Sequence, residues 1–211
     1  MRSPLSDPRY VFSTAWFDAH VPAWDRVIGQ LQPKRVLEIG SYEGKSACYL
    51  IERISSVDSL ELHCVDTWEG SIENDPAGMP AVESRFDQNI GVAVSLSANP
   101  PTVLKHKVCS YLAMTRLIAS GNAEGFDFIY IDGSHQAPDV LSDAVLAFHL
   151  LRIGGVLVFD DYLWHMEPVG RQDVLNMPRI AIDSFLNIHQ RKMQVLVGFP
   201  IGQIYAVKTA R

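Results

Sequence analysis

Acidic side chains stand at the ends of four apolar runs in this sequence. Glu38 lies just before Ile39-Gly40, Asp66 closes Leu60–Val65, Asp132 closes Phe126–Ile131, and Asp160-Asp161 close Val156–Phe159. Carboxylates in such places can accept hydrogen bonds from hydroxyls, exchange a proton, or hold a cation through oxygen. His135 follows Asp132 by three residues. An imidazole, with an ordinary pKa of about 6.5, suits removal of a hydroxyl proton at neutral pH. His165 is a second, weaker candidate for that task. One such acid is commonplace; four strand-like runs ending this way point to a ligand site.

The first run leads into Gly40-Ser-Tyr-Glu-Gly44-Lys-Ser46. A phosphate-cradling loop of the GxxxxGK[ST] type depends on the number of backbone N–H groups around the anion. Here the spacing is GxxxGKS, one residue short, although Phe128–Asp132 resembles the strand that accompanies such loops. The dinucleotide pattern GxGxxG fits less well, because Ser41 or Tyr42 occupies its middle glycine position. Taken alone, the two glycines are also what a tight strand-to-helix turn requires.

These residues need elements to hold them. Phe17, Val21, Trp24, Ile28 and Leu31 recur at helical intervals before Pro33, and Ala47, Leu50, Ile51 and Ile54 give a second amphipathic helix. Arg35–Ile39, Leu60–Val65, Val103–Val108, Phe126–Ile131 and Val156–Phe159 read as buried strands. Ser110 is a candidate cap of a helix reaching Ile118. A helix from Val140 to Leu151 is expected to stop at Gly154-Gly155, and another spans about 179–189. The runs 193–197 and 203–208 close the chain as a hairpin. Residues 70–101, with Pro76, Pro80, Pro100 and Pro101, read as an irregular segment holding one helix around Val82, Phe86 and Ile90, long enough to act as a lid.

Strands alternating with helices imply an α/β, Rossmann-like, doubly wound sheet of seven strands, mainly parallel, with an antiparallel C-terminal hairpin strand. Its ligands bind beyond the carboxyl ends of the strands. The expected organisation is one domain over 1–211, with an N-terminal arm and helix at 1–33. The 211 residues are 47% hydrophobic and 20% charged, so a folded globular chain is expected. With 18 basic against 24 acidic residues the formal charge is −6, and no basic block interrupts it, which speaks against a nucleic-acid partner. No apolar stretch approaches membrane-spanning length, and MRSPLSDPRY lacks the apolar centre of a secretion signal. Cys48, Cys64 and Cys109 are widely spaced and odd in number, and read as reduced core thiols of a cytoplasmic protein.

The pattern Glu-x-Gly-x-x-x-Gly between strand and helix, with an acid at the next strand end, resembles the class I S-adenosylmethionine-dependent methyltransferases. Val65-Asp-Thr-Trp-Glu-Gly70, Ile131-Asp-Gly-Ser-His135 and Gly154-Gly-Val-Leu-Val-Phe-Asp-Asp-Tyr162 are similar to the small bacterial O-methyltransferases related to macrocin O-methyltransferase, as is Ala181–Phe185. The resemblance implies that Glu38, Gly40, Ser41, Tyr42 and Glu43 line S-adenosylmethionine, that Asp66 holds its ribose with Thr67 and Trp68 alongside, and that Ser110 and Asp132 complete the cofactor site. Trp68 can equally pack beneath the loop.

The same resemblance places Asp132 beside Asp160 and Asp161, which implies a site for Mg²⁺ or another divalent cation that clamps the oxygens of a small-molecule hydroxyl acceptor. His135 is the expected general base by its ordinary pKa; the chain departs here from the macrocin-like pattern, which has an aspartate base where this sequence has Ser134. Trp164, Tyr10 and Trp16 are candidates for an aromatic wall over the acceptor. Two other functions compete: a P-loop-like NTPase or phosphotransferase, and a non-catalytic S-adenosylmethionine-binding protein. The sequence leaves a homo-oligomer open.

Overall fold

The computed structural model describes residues 4–211. The chain forms two compact units that divide between Lys107 and Val108. In the first, a 3₁₀ turn at Trp16–His20 leads into α1 (Val21–Leu31), followed by β1 (Arg35–Ile39), α2 (Lys45–Ile54), β2 (Glu61–Asp66), α3 (Met79–Leu96) and β3 (Thr102–Lys107). The strands run parallel in the order β3-β2-β1. Val36, Leu37, Leu62 and Cys64 are fully buried, as strands covered on both faces demand. Pro22 lies in the first turn of α1, where its missing N–H costs nothing. That helix is fixed by an aromatic cluster: Phe17 meets Trp24 edge-on at 4.8 Å and Tyr49 of α2 at 5.3 Å.

The segment 70–101 is more regular than its prolines imply. Most of it is α3, an 18-residue helix whose buried side includes Met79, Val82, Phe86, Asn89 and Ala93. Pro80 falls in its first turn and Pro76 opens a short 3₁₀ turn, so both prolines start helices instead of breaking them. Lys105 of β3 pairs with Glu83 and Asp87 of α3, which fixes the helix over the strand. The expected irregular lid is in the main a packed helix.

The second unit holds α4 (Ser110–Leu117), β4 (Phe126–Ile131), α5 (Ala137–Leu150), β5 (Leu151–Phe159), α6 (Pro178–Ile188), β6 (Met193–Val195) and β7 (Ile204–Lys208). The strand order is β4-β5-β7-β6, with β4 and β5 parallel and β7 antiparallel to both neighbours. The expected fold class is thereby met: α/β, Rossmann-like, seven strands, mainly parallel, with a C-terminal antiparallel hairpin.

Two details differ from expectation. Gly154-Gly155 does not end α5; the helix stops at Leu150, and the glycines lie inside β5, where its register against β4 shifts. A Cβ on Gly155 would lie 2.7 Å from Leu151 Cδ1 and 2.9 Å from the Asp127 carbonyl oxygen, so the irregularity admits only glycine there. Cys48 and Cys64 are buried free thiols, but Cys109 is exposed, because it stands outside α4 as its N-cap. Among the described residues no helix is long and apolar enough to cross a membrane.

Candidate active site

In the first unit the chemistry gathers where β1 and β2 end. Glu38 is fully buried, and both its oxygens are engaged: Ser46 Oγ donates to Oε1 at 2.5 Å and Ser41 Oγ to Oε2 at 2.7 Å. Burial pushes its carboxyl up to about 7, and the charge of Asp66 adds to that, while the two serine hydroxyls oppose it. The loop that follows spends its own N–H groups. Gly40 N–H donates to Val65 O at 2.8 Å, Gly44 N–H to Ser41 O at 2.7 Å, and Tyr42 N–H to Asp66 Oδ2 at 2.8 Å. Gly44 adopts φ 77°, and a Cβ there would lie 2.9 Å from the Phe86 ring, so this glycine also brings α3 close.

Asp66 therefore binds its own surroundings before any ligand. Besides Tyr42 it accepts from Trp68 N–H at 2.7 Å on Oδ1, and Trp68 Nε1–H donates to Tyr42 O at 2.9 Å. Each carboxylate oxygen has one protein donor and keeps a further lone-pair site. Tyr42 and Trp68 both hold left-handed backbones, φ 47° and 51°, which bulky residues adopt only when their surroundings dictate it. Trp68 is buried, packs on Phe86 at 4.9 Å and lies under Lys105 Nζ at 4.5 Å. Thr67 Oγ1 accepts from Glu69 N–H within the same turn. Glu43 is different: its buried carboxylate accepts from Ser13 N–H, Ser13 Oγ and Arg85 Nε–H.

In the second unit a polar cluster gathers where β4 and β5 end. The Tyr130 hydroxyl lies 3.0 Å from Asp132 Oδ2 and bonds Asp160 Oδ2, which also accepts from Gln203 Nε2 at 3.0 Å. Tyr205 OH donates in turn to Gln203 Oε1 at 2.5 Å. Asp160 Oδ1 accepts the N–H of Asp161 at 2.8 Å. Asp161 has φ 56°, and that left-handed turn carries its carboxylate elsewhere: Oδ2 lies 2.7 Å from His135 Nε2. The Trp164 ring packs against that of His135, with centroids 4.2 Å apart and the planes tilted by 33°.

The donor atoms of Asp132, His135 and Asp161 lie within 4.8 Å of one another. The structure thus brings together two of the three expected metal ligands with the expected base, while the Asp160 carboxylate is bound by Tyr130, Gln203 and the Asp161 N–H. Two part-exposed carboxylates and an imidazole are a donor set that fits a divalent cation. Ser110 is the first residue of α4 rather than its cap; burial raises the Asp143 carboxyl to about 7, and the Ser110 hydroxyl opposes that. His165 Nδ1 contacts Glu167 O in its own loop.

Sequence reasoning passed over Tyr130, Gln203, Arg85 and Asn89. Tyr130 carried a usable signal, since residues two apart on a strand share a face and Asp132 follows it by two. Gln203 and Asn89 carried none.

A family model described as a methyltransferase domain matches residues 37–162, more than half of the chain. An uncharacterized protein of Acanthamoeba polyphaga mimivirus is 28% identical over 126 residues, covering 60% of this chain and 50% of that protein. The chain thus spans about half the length of the curated relative it matches. Among solved structures, an O-methyltransferase from Bacillus cereus in complex with S-adenosylhomocysteine superposes with a TM-score of 0.63 at 19% identity, over 96% of this chain and 84% of that one. The O-methyltransferase TomG from Streptomyces achromogenes, involved in tomaymycin synthesis and solved with S-adenosylmethionine, gives 0.62 at 18%, over 96% and 83%. At such identities the likeness is one of fold, and it is the class I fold that the glycine loop and strand-end acids implied. By its match over residues 37–162, the chain belongs to the methyltransferase-domain family.

Proposed function

We propose that this protein transfers the methyl group of S-adenosylmethionine to a hydroxyl oxygen of a small molecule. The observation that carries the reading is Asp66, at the end of β2, holding the N–H groups of Tyr42 and Trp68 while one lone-pair site on each of its oxygens stays available. Such a carboxylate, fixed beside a glycine loop, suits a ribose diol. Glu38, Gly40, Ser41, Tyr42, Asp66, Thr67 and Trp68 form the cofactor side on this reading. The P-loop alternative meets a physical objection. The N–H groups of Gly40, Tyr42 and Gly44 already donate within the protein, and an anion would face the Asp66 carboxylate.

The acceptor side is the cluster at Asp132, His135 and Asp161. His135 Nε2 and Asp161 Oδ2 stand 2.7 Å apart, a contact that becomes a charge-assisted hydrogen bond when a proton lies between them. On this reading His135 takes the proton of the acceptor hydroxyl once Nε2 turns from Asp161 to the acceptor oxygen, and the imidazolium then pairs with the Asp161 carboxylate. Trp164 fixes the plane of the imidazole and offers an apolar wall. Asp132 and Asp161, with water completing the shell, would hold Mg²⁺ or a similar ion. When bound, such an ion lowers the pKa of the acceptor hydroxyl and orients its oxygen. Tailoring of a natural product, as the TomG likeness brings to mind, is the acceptor chemistry we favour.

Calorimetry with S-adenosylhomocysteine and with ATP tests the assignment. The homocysteine compound should bind, ATP should not, and Asp66→Ala should weaken binding by roughly tenfold to a hundredfold, the worth of one or two charged hydrogen bonds. Binding of ATP alone would overturn the reading.

A further inference from the structure

We propose that Glu43 is a positioning residue that ties the N-terminal arm, residues 10–18, to the cofactor loop, so that the arm completes the cofactor site and tightens on it when the cofactor binds. The proposal rests on the cofactor reading above and goes beyond it: the arm lies outside residues 37–162, which the methyltransferase-domain model matches.

The Glu43 side chain is 2% exposed, and its oxygens accept from Ser13 N–H at 2.6 Å, Ser13 Oγ at 2.7 Å and Arg85 Nε–H at 2.5 Å. A buried carboxylate is tolerated only with such partners. With both oxygens given to the arm and to α3, Glu43 acts on the cofactor through the loop backbone instead of touching it.

Asn89 of α3, which is fully buried, reinforces the same link. Its Oδ1 accepts Val11 N–H at 2.8 Å, and its Nδ2 donates to Val11 O and to Glu43 O, both at 2.9 Å. One amide thus pairs with the arm as a strand would and holds the loop carbonyl at the same time. Lys45 adds a third tie, through Asp18 Oδ1 at 2.5 Å and Thr14 O at 3.2 Å, and is no free surface lysine.

The arm also carries a side chain suited to meet a ligand. Trp16 is 68% exposed, yet its ring lies 5.5 Å from that of Tyr42, whose backbone Asp66 fixes. Tyr42 and Glu43 of the loop, and Lys45 at the start of α2, therefore each bear an arm contact. A cofactor that steadies the loop must then steady the arm, and by thermodynamic reciprocity an ordered arm must raise cofactor affinity.

Hydrogen exchange and calorimetry on the full chain test this, with S-adenosylhomocysteine as probe. The amides of Val11 and Ser13, which donate to Asn89 and Glu43, are the reporters. Saturating ligand should slow their exchange at least severalfold. Glu43→Gln and Ser13→Ala should each weaken binding, Glu43→Gln by about tenfold. The double variant should be no weaker than Glu43→Gln alone, since both cut one link. Ser13 lies on the exposed arm, so its variant keeps the test open should Glu43→Gln fail to fold. Ligand binding that leaves the two amides unchanged, or losses that multiply in the double variant, would overturn the proposal while leaving the cofactor reading intact. No binding by the unaltered protein would instead sink the cofactor reading, and this proposal with it.

Discussion

The hydroxyl of Tyr130, on β4, holds the carboxylate of Asp160 at the end of β5, and Gln203 donates to the same carboxylate oxygen. Burial, with the charges of Asp132 and Asp160, pushes the Tyr130 phenol well above its usual value, so it stays a donor. Asp160 is thereby kept for the hairpin side of the cluster, and Asp161, turned at φ 56°, is left for His135. Cation binding should follow that division. Titration with Mn²⁺, read by electron paramagnetic resonance, should weaken by tenfold or more in Asp132→Asn and Asp161→Asn, and by much less in Asp160→Asn. Tyr130→Phe should release Asp160 and raise Mn²⁺ affinity. Equal losses in Asp160→Asn and Asp161→Asn would show that Asp160 is a ligand after all.

A second pair predicts pH dependence. His63 of β2 and His106 of β3 contact through Nδ1 and Nε2 at 3.0 Å, and the far nitrogen of His63 meets Glu61 at 3.0 Å, a carboxylate also held by Arg35. Burial lowers the pKa of both imidazoles; Glu61 opposes this for His63, while the charge of His63 lowers His106 further. A histidine with a depressed folded pKa binds protons more readily when unfolded. Its contribution to stability is therefore complete above about pH 6.5 and falls as pH drops below that. Glu38, raised to about 7, works the other way, because its folded form keeps the proton better between its ordinary value and 7. The difference between variants isolates the histidines. Urea unfolding should show the unaltered protein losing ground relative to His63→Gln between pH 7 and 5, by up to roughly 1.4 kcal/mol per pH unit for one group. Parallel pH curves for the two proteins would count against it.

The sequence disclosed what local pattern can disclose. Asp66, Asp132 and Asp160 were legible because each ends a largely apolar run, and apolar runs between turns are what buried parallel strands need. The division of labour between Asp160 and Asp161 was not legible. It depends on Gln203, 43 residues beyond Asp160, and on a left-handed backbone at Asp161 that nothing in its neighbours announces. The Ser13–Glu43 and Val11–Asn89 links cross 30 and 78 residues and follow no periodicity. The helix Met79–Leu96 is harder to see in the sequence, because Pro80 reads equally as a breaker and as the starting signal that a proline in a first turn is.

The last prediction concerns stability. Lys208 on β7 is 1% exposed, and its ammonium donates to Phe148 O at 2.9 Å, Leu151 O at 2.8 Å and Glu124 Oε1 at 3.3 Å, over the Phe148 ring at 4.3 Å. The last carbonyls of α5 have no partner within their own helix. Leu151 N–H takes the carbonyl of Ala147, Glu124 N–H that of His149, and Lys208 that of Phe148. An ammonium has three donors, and all three are placed. Lys208→Met keeps most of the volume but leaves two buried carbonyls without this donor and Glu124 with only Arg211 for a cation. The cost should be about 3 kcal/mol or more, the usual consequence of removing one partner from a buried charged network. Lys208→Arg should recover little, since a planar guanidinium cannot reach three acceptors arranged around a point charge. Urea denaturation should show the midpoint falling in both variants, furthest in Lys208→Met, with the slope unchanged. A loss below about 1 kcal/mol in Lys208→Met would mean that water replaces the ammonium at the end of α5.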